Sequence, residues 1–349
     1  MNGDALMNSS KSGQARPSAF SRRRFGQALL AVGGTAVLAK SASVAAQTGA
    51  APWPNRPIRL IVNFPVGGSP DAIARAVATP LSQALGQSVV VENRGGAGGM
   101  IGAEAVAKAA NDGYTILLSS GSAMAIVPLI TPRMPYDPQK DLVAVAAGAR
   151  LELFLVVRSD APYKTYAEFV RYAKANPGRL TYGSPGNGTS PHIAGEMLKS
   201  QANFFSVHIP YRGSAAVLTD LLGGQIDYTF DPGISFSQLR AGRLRLLAVG
   251  SAKRNALFPD TPTLAELGLA GFDTGTTHGF WAPAGTPAPI IERLNREINQ
   301  TMTLAPVIEV IRALGAEPTP ISPAQFAAVI RGDSERFGKI IRERKIVGD

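Results

Sequence analysis

The sequence predicts an α/β protein made of two domains of similar build. Two observations carry that expectation. From Trp53 onward, short apolar runs alternate with longer amphipathic ones, and the alternation runs through two cycles. In each cycle a glycine-rich loop joins a strand candidate to a helix candidate at the same place.

The first cycle opens on Ile58–Phe64, an apolar run of strand length. Residues 72–85 carry Ile73, Val77, Leu81 and Leu85 at helical spacing and stop at Gly86, a common helix terminator. Residues 88–92 predict a second strand, 101–110 a short helix closed by Asn111-Asp112-Gly113, and 114–119 a third strand. This β-α-β-α-β order implies a parallel sheet with helices on both faces. The second cycle predicts strands at 154–157, 180–183, 205–209, 226–230 and 244–250. Helices are predicted between them at 165–175, 191–200 and 215–222. The chain then returns through Gly279–Pro283. Two helices close it, one with Ile290, Ile291, Leu294 and Ile298 on its inner face and one over 324–341.

Composition bounds what such a chain does. It has 349 residues, 45% hydrophobic and 17% charged, which suits roughly two globular domains rather than a disordered polymer. No apolar run after residue 47 approaches the roughly 20 residues of a membrane-spanning helix. The absence of cysteine excludes disulfides, thiol nucleophiles and thiolate metal sites. The net charge of +10 invites a nucleic-acid reading. Removing the six basic residues and one acid of 1–46 leaves 29 basic and 24 acidic residues, dispersed along the chain, so no nucleic-acid partner is expected.

Residues 1–46 read as an address. Arg22-Arg23-Arg24-Phe25 precedes a mild apolar stretch from Ala28 to Ala39, and Ser43-Val44-Ala45-Ala46-Gln47 supplies the small residues of a cleavage site. This predicts a signal peptide cut near Ala45–Gln47 and release to the periplasm. The Ser-Arg-Arg-x-Phe pattern suits twin-arginine export, with the general secretory route as the alternative.

The two loops carry the candidate chemistry. Phe64-Pro65-Val66-Gly67-Gly68-Ser69-Pro70-Asp71 follows a strand and opens a helix, with Ser69 suited to the cap and Pro70 to the first helical position. Ser184-Pro185-Gly186-Asn187-Gly188-Thr189-Ser190-Pro191-His192 repeats the arrangement. Both present backbone N–H groups at the positive end of a helix, which suits an anion. In open α/β sheets ligands sit beyond the carboxyl ends of strands, so two facing loops make a cleft that grips a carboxylate from both sides. The candidate ligand-binding residues are Phe64, Gly67, Gly68, Ser69, Asp71, Ser120, Ser184, Gly188, Thr189, Ser190, His192 and Asp231. Asp71 reads equally as a dipole-compensating acid in the first helical turn, and Asp231 as an Asp-Pro turn.

Other chemistries lack their residues. The Gly95–Gly102 stretch has Ile101 where a G-x-G-x-x-G fingerprint needs glycine, and no phosphate-binding P-loop or G-x-S-x-G elbow occurs. His192, His208 and His278 lack metal-ligand spacing. No catalytic residue, metal or cofactor is expected. A periplasmic enzyme of hydrolase type on the same scaffold is the alternative function.

The chain resembles the Bug family, the periplasmic receptors of tripartite tricarboxylate transporters. The resemblance rests on Trp53-Pro54-x-x-Pro57-Ile58-Arg59-Leu60-Ile61-Val62, Phe64-Pro65-x-Gly67-Gly68-x-x-Asp71, Val90-Val91-Glu92-Asn93-Arg94, Asp112-Gly113-Tyr114-Thr115, Tyr182-Gly183-Ser184-x-Gly186-Asn187-Gly188-Thr189, Pro210-Tyr211-Arg212-Gly213 and Ala282-Pro283-Ala284-Gly285-Thr286-Pro287. It implies a two-domain flytrap of the type II periplasmic binding kind with two chain crossovers. Residues 53–153 and 277–349 would form one domain and 154–276 the other. It further implies a small carboxylate held by backbone amides and bridging waters, a monomer, and the membrane subunits of such a transporter as partner. Phe230-Asp231-Pro232-Gly233 departs from the family's usual Asp-Asn continuation at one wall of the pocket.

Overall fold

The computed structural model describes residues 52–346, so the expected signal peptide at 1–46 and its cleavage site lie outside the described residues. The strands are β1 (Ile58–Val62), β2 (Val89–Asn93), β3 (Thr115–Ser119), β4 (Leu142–Leu151), β5 (Phe154–Arg158), β6 (Thr181–Ser184), β7 (Val207–Pro210), β8 (Tyr228–Asp231), β9 (Leu244–Val249) and β10 (Thr276–Pro283). The helices are α1 (Ser69–Leu85), α2 (Met100–Ala107), α3 (Gly121–Ala125), α4 (Val127–Ile130), α5 (Tyr166–Ala175), α6 (Ser190–Ala202), α7 (Ser214–Leu222), α8 (Phe236–Arg240), α9 (Ala288–Thr301), α10 (Ala305–Ala313) and α11 (Pro323–Arg344).

The strands form two five-stranded sheets, ordered β2-β1-β3-β10-β4 and β7-β6-β8-β5-β9. We refer to the layers around them as the first and second lobes. The sheets match strand for strand: β1 with its following α1 occupies the place in one sheet that β6 with α6 occupies in the other. Both loops read from the sequence therefore sit at the carboxyl end of the second strand from a sheet edge.

The three strands of the β-α-β-α-β reading pair parallel as expected, but neither sheet is wholly parallel. β1 pairs parallel with β2 and β3, but β10 runs antiparallel between β3 and β4. In the second sheet β6 pairs parallel with β7 and β8, while β5 runs antiparallel between β8 and β9. The reversed strand in each sheet is the one that arrives from the other lobe. Only Glu152 and Leu153 separate β4 from β5, too few for the crossover helix that a parallel connection requires.

β1 shows why its run is continuously apolar. Ile58, Leu60 and Val62 pack with Ile73, Val77 and Leu81 of α1, while Ile61 joins Ala103, Val106 and Leu117 on the opposite face. A strand covered on both sides needs no polar alternation. The final helix α11 begins at a capping box in which Ser322 and Gln325 satisfy each other's backbone N–H groups. It packs on β4 and α3 of the first lobe and reaches α6 of the second.

Five elements escaped the sequence reading. β4 is rich in alanine and glycine (Leu-Val-Ala-Val-Ala-Ala-Gly-Ala-Arg-Leu), which weakens its strand signal. The short helices α3, α4 and α8 have too few residues to show a period. Three helices rather than two close the chain, because Thr303-Leu304 breaks the pattern and α10 restarts with Pro306 in its first turn. The caps also move by one residue. Gly68, not Ser69, caps α1, and Thr189, not Ser190, caps α6. Each proline thus takes the second helical position, where it still costs no hydrogen bond.

Candidate functional site

A small cavity of about 30 Å³ lies where the two lobes meet, lined by Phe64, Ser69, Pro70, Ser120 and Ser122 with Pro185, Thr189, Ser190, Ser214 and Pro232, and closed by His278. No aspartate, glutamate, lysine or arginine lines it. What lines it instead is hydroxyls and helix beginnings. Ser69, Ser190 and Ser214 are the first residues of α1, α6 and α7, and no side chain caps any of these helices. An uncapped start leaves its leading N–H groups unsatisfied and its dipole positive. Two such ends were read from the sequence. The third, α7 behind Gly213 at φ 121°, was missed because Arg212-Gly213-Ser214 carries no capping signature.

His278 of β10 organises the first lobe's side. The Gly121 N–H donates to its Nδ1 at 3.4 Å, so the ring proton sits on Nε2 and donates to the Ser69 hydroxyl oxygen at 3.0 Å. Ser69 is left with its own proton to give to the cavity. Burial presses the imidazole pKa down to about 3, so the ring is neutral at any physiological pH. Ser120 caps α3, accepting from the Ser122 N–H, and its hydroxyl lies 2.7 Å from that of Ser122. Neither His278 nor Ser122 was singled out from the sequence; an isolated histidine within an apolar strand carries no local signal for such a role.

The remaining candidates divide. Phe64, Ser69, Ser120, Thr189 and Ser190 line the cavity. Gly68 is beside it as the α1 cap, and Gly67, at φ 86°, faces Ala215 of α7 across the lobes. Thr189 spends its hydroxyl proton on the Gly186 carbonyl at 2.6 Å, tightening its own loop. Gly188, at φ 73°, donates its N–H to His192 Nδ1. The His192 ring stacks on His208 with centroids 4.2 Å apart, away from the cavity, and Ser184 bonds the same His208 at 2.7 Å.

The two acids are not among the cavity's walls. The Asp71 carboxylate accepts from the Gly67 N–H at 3.0 Å, from Arg75, and from Asn93 at 2.9 Å, while Asn93 also donates to the Phe64 carbonyl. Burial alone would raise its pKa, but these donors together hold it below the ordinary carboxylate value. Asp71 thus fixes the shape of the first loop. Asp231 Oδ2 accepts from the N–H groups of Gly233 and Ser235 and from the Ser235 hydroxyl, closing the turn that presents Pro232. Full burial pushes its pKa up to about 6 against those donors. Among the described residues no group of three or more His, Asp or Glu could hold a metal ion.

A second, larger cavity of about 490 Å³ shares Phe64 and Pro185 with the first. Its walls come from both lobes, which touch closely here: a Cβ on Gly98 would lie 2.7 Å from the Asn187 carbonyl oxygen.

Comparison with known proteins points the same way. Residues 73–346 match the family model described as the tripartite tricarboxylate transporter family receptor. The BugT protein of Bordetella pertussis is 39% identical over 318 residues, covering 90% of this chain and 97% of that protein. The solved structure of the periplasmic binding protein BugD superimposes with a TM-score of 0.81 at 32% identity, over 85% of this chain and all of BugD. The structure of R. palustris Rpa4515 with adipate gives a TM-score of 0.81 at 34% identity, over 84% of this chain and 99% of that one. The two-domain α/β architecture of these proteins is the architecture of this chain.

Proposed function

We propose that this chain, which belongs to the tripartite tricarboxylate transporter receptor family, is a periplasmic solute-binding receptor that captures a small carboxylate between its two lobes. The observation that carries this reading is the convergence of three uncapped helix starts, each opening with a serine, on one cavity that no acidic side chain lines. Such a site supplies fixed N–H and O–H donors and no counter-charge, the requirement of a compact anion. Ser69, Ser120, Thr189, Ser190, Ser214 and Phe64 are the residues placed to hold or cover it. Asp71, Asn93, Asp231 and His278 shape them from behind.

The cavity's volume is that of about one water molecule. A carboxylate therefore enters only when the lobes part. The two chain crossings, after β4 and after β9, are where a hinge would flex. On this reading 53–153 with 277–349 moves against 154–276. The adipate held by the R. palustris relative supports an organic acid as ligand here too. Membrane subunits of a tripartite transporter are the partner the family membership supports. Among the described residues no helix is long and apolar enough to cross a membrane, and the basic, apolar and small-residue order of 1–46 supports release into the periplasm.

At the small cavity, the Ser69–His278 pair is the feature that favours an enzyme; the Ser184–His208 pair does not line it. The geometry of the Ser69–His278 pair argues against an enzyme. A general base must offer Nε2 as an acceptor, whereas here Nδ1 is occupied by the Gly121 N–H and Nε2 carries the proton. A basicity as low as that of His278 gives little drive to take a serine proton. We therefore assign the pair to donor alignment rather than to nucleophilic attack.

A thermal-shift screen tests the function. A ligand at 100 times its dissociation constant adds about 2.7 kcal/mol of stability. Carboxylates are expected to raise Tm and neutral sugars to leave it unchanged. The reverse pattern, or turnover of an ester by Ser69, would contradict the reading.

A further inference from the structure

The larger cavity is too big and too apolar to be only an entrance. Phe64, Ala97, Met100, Val127, Ile130 and Tyr211 give it carbon walls, and its volume of about 490 Å³ falls in the range of small-molecule sites. Phe64 and Pro185 line both cavities, so the two adjoin at these residues. The one charged side chain on its walls is Arg212, on the exposed rim, and no carboxylate of the described residues pairs with it. One compartment thus offers aligned donors without charge, the next offers apolar surface, and a free cation stands at the far end.

We propose that the acid this chain takes is elongated: one carboxylate at Ser69, Ser190 and Ser214, an apolar body past Phe64 and Pro185 in the larger cavity, and a second anionic end at Arg212. This rests on the reading of the small cavity as a carboxylate site and names its substrate class. A short diacid would leave the apolar walls uncovered and its second charge away from the arginine. A monoacid of equal length would cover the walls and leave Arg212 unanswered.

Calorimetry with succinate, adipate and hexanoate separates the parts. Adipate has two more methylenes than succinate. Each buried methylene strengthens binding about fourfold, so adipate is expected to bind about tenfold tighter or better. Adipate should also bind tighter than hexanoate. Arg212→Gln should narrow that second gap about two- to fivefold, as befits an exposed charge, and added salt should narrow it in the parent. Ile130→Ser should narrow the adipate–succinate gap without altering the salt dependence. Arg212 is exposed, so its variant folds, and a matching melt would confirm this for Ile130→Ser.

Succinate binding as tightly as adipate overturns the elongated ligand while leaving the carboxylate site standing. An adipate-to-hexanoate ratio untouched by Arg212→Gln overturns the role of Arg212. Binding of none of the three acids overturns the carboxylate site itself and this proposal with it.

Discussion

His278 Nε2 stands 3.0 Å from the Ser69 hydroxyl, across 209 residues of sequence and from a strand antiparallel to its neighbours. That bond decides which way the serine's proton points. It joins the return strand of the first lobe to the first turn of α1, so the crossover topology and the site's donor geometry depend on each other.

Ser69→Ala removes a hydroxyl that lines the small cavity and, on the proposed function, donates to the ligand. A hydrogen bond to a charged group contributes about 1.5–3 kcal/mol, so affinity for the bound acid should fall about 10- to 150-fold. The fold should persist, because α1 has Gly68 as its cap. Calorimetry on the parent and the variant checks both the direction and the size.

His278 and Asp231 should give opposite pH signatures in stability. His278 is neutral when folded down to about pH 3, but titrates near 6.5 when unfolded. Its contribution is complete above 6.5 and is lost as pH falls toward 3. Asp231 is raised to about 6 from 3.8, so its contribution is complete below 3.8 and is lost as pH rises through 6. Asp231→Asn should therefore gain on the parent between pH 4 and pH 7, by on the order of 2 kcal/mol. Denaturant melts across that range measure it, and a difference independent of pH would contradict the assignment.

Gly98 tests closure. It sits at φ 64°, and any Cβ would press on the Asn187 carbonyl of the other lobe. Gly98→Val should hold the lobes apart and weaken every acid alike. Solution scattering should show the parent contracting with ligand and the variant failing to contract.

Asp71 is expected to behave as a support. Asp71→Asn weakens the acceptor shared by Gly67, Arg75 and Asn93 and should cost roughly 1–3 kcal/mol of stability. Affinity should fall less than in Ser69→Ala. A variant with parental stability and no binding would instead make Asp71 a direct ligand contact.

Much of this was legible because the signals are local. β1, α1, β6 and α6 announce themselves through apolar period and glycine punctuation, and the resemblance between their two loops is visible in the letters. Three parts were not. The reversed strands β5 and β10 depend on what lies across the sheet, which no window of sequence contains. Asp71 and Asp231 sit where a ligand acid-partner would sit, yet fold back onto their own backbone, and an Asp in a turn looks the same in either role. Ser214 and His278 join the cavity only through tertiary contact. Thr189 lines the cavity but spends its hydroxyl proton on the Gly186 carbonyl, which the sequence does not show.

On the proposed function, N–H and O–H donors at helix starts hold a charged carboxylate. The direct measurement is calorimetric titration of the chain with the tightest acid and with the primary amide that replaces its anchored carboxylate. The two differ little in shape and fully in charge. The acid should bind with a dissociation constant on the order of micromolar, about 8 kcal/mol, and the amide at least tenfold more weakly. Equal affinity for the two would mean that the three helix starts do not recognise an anion.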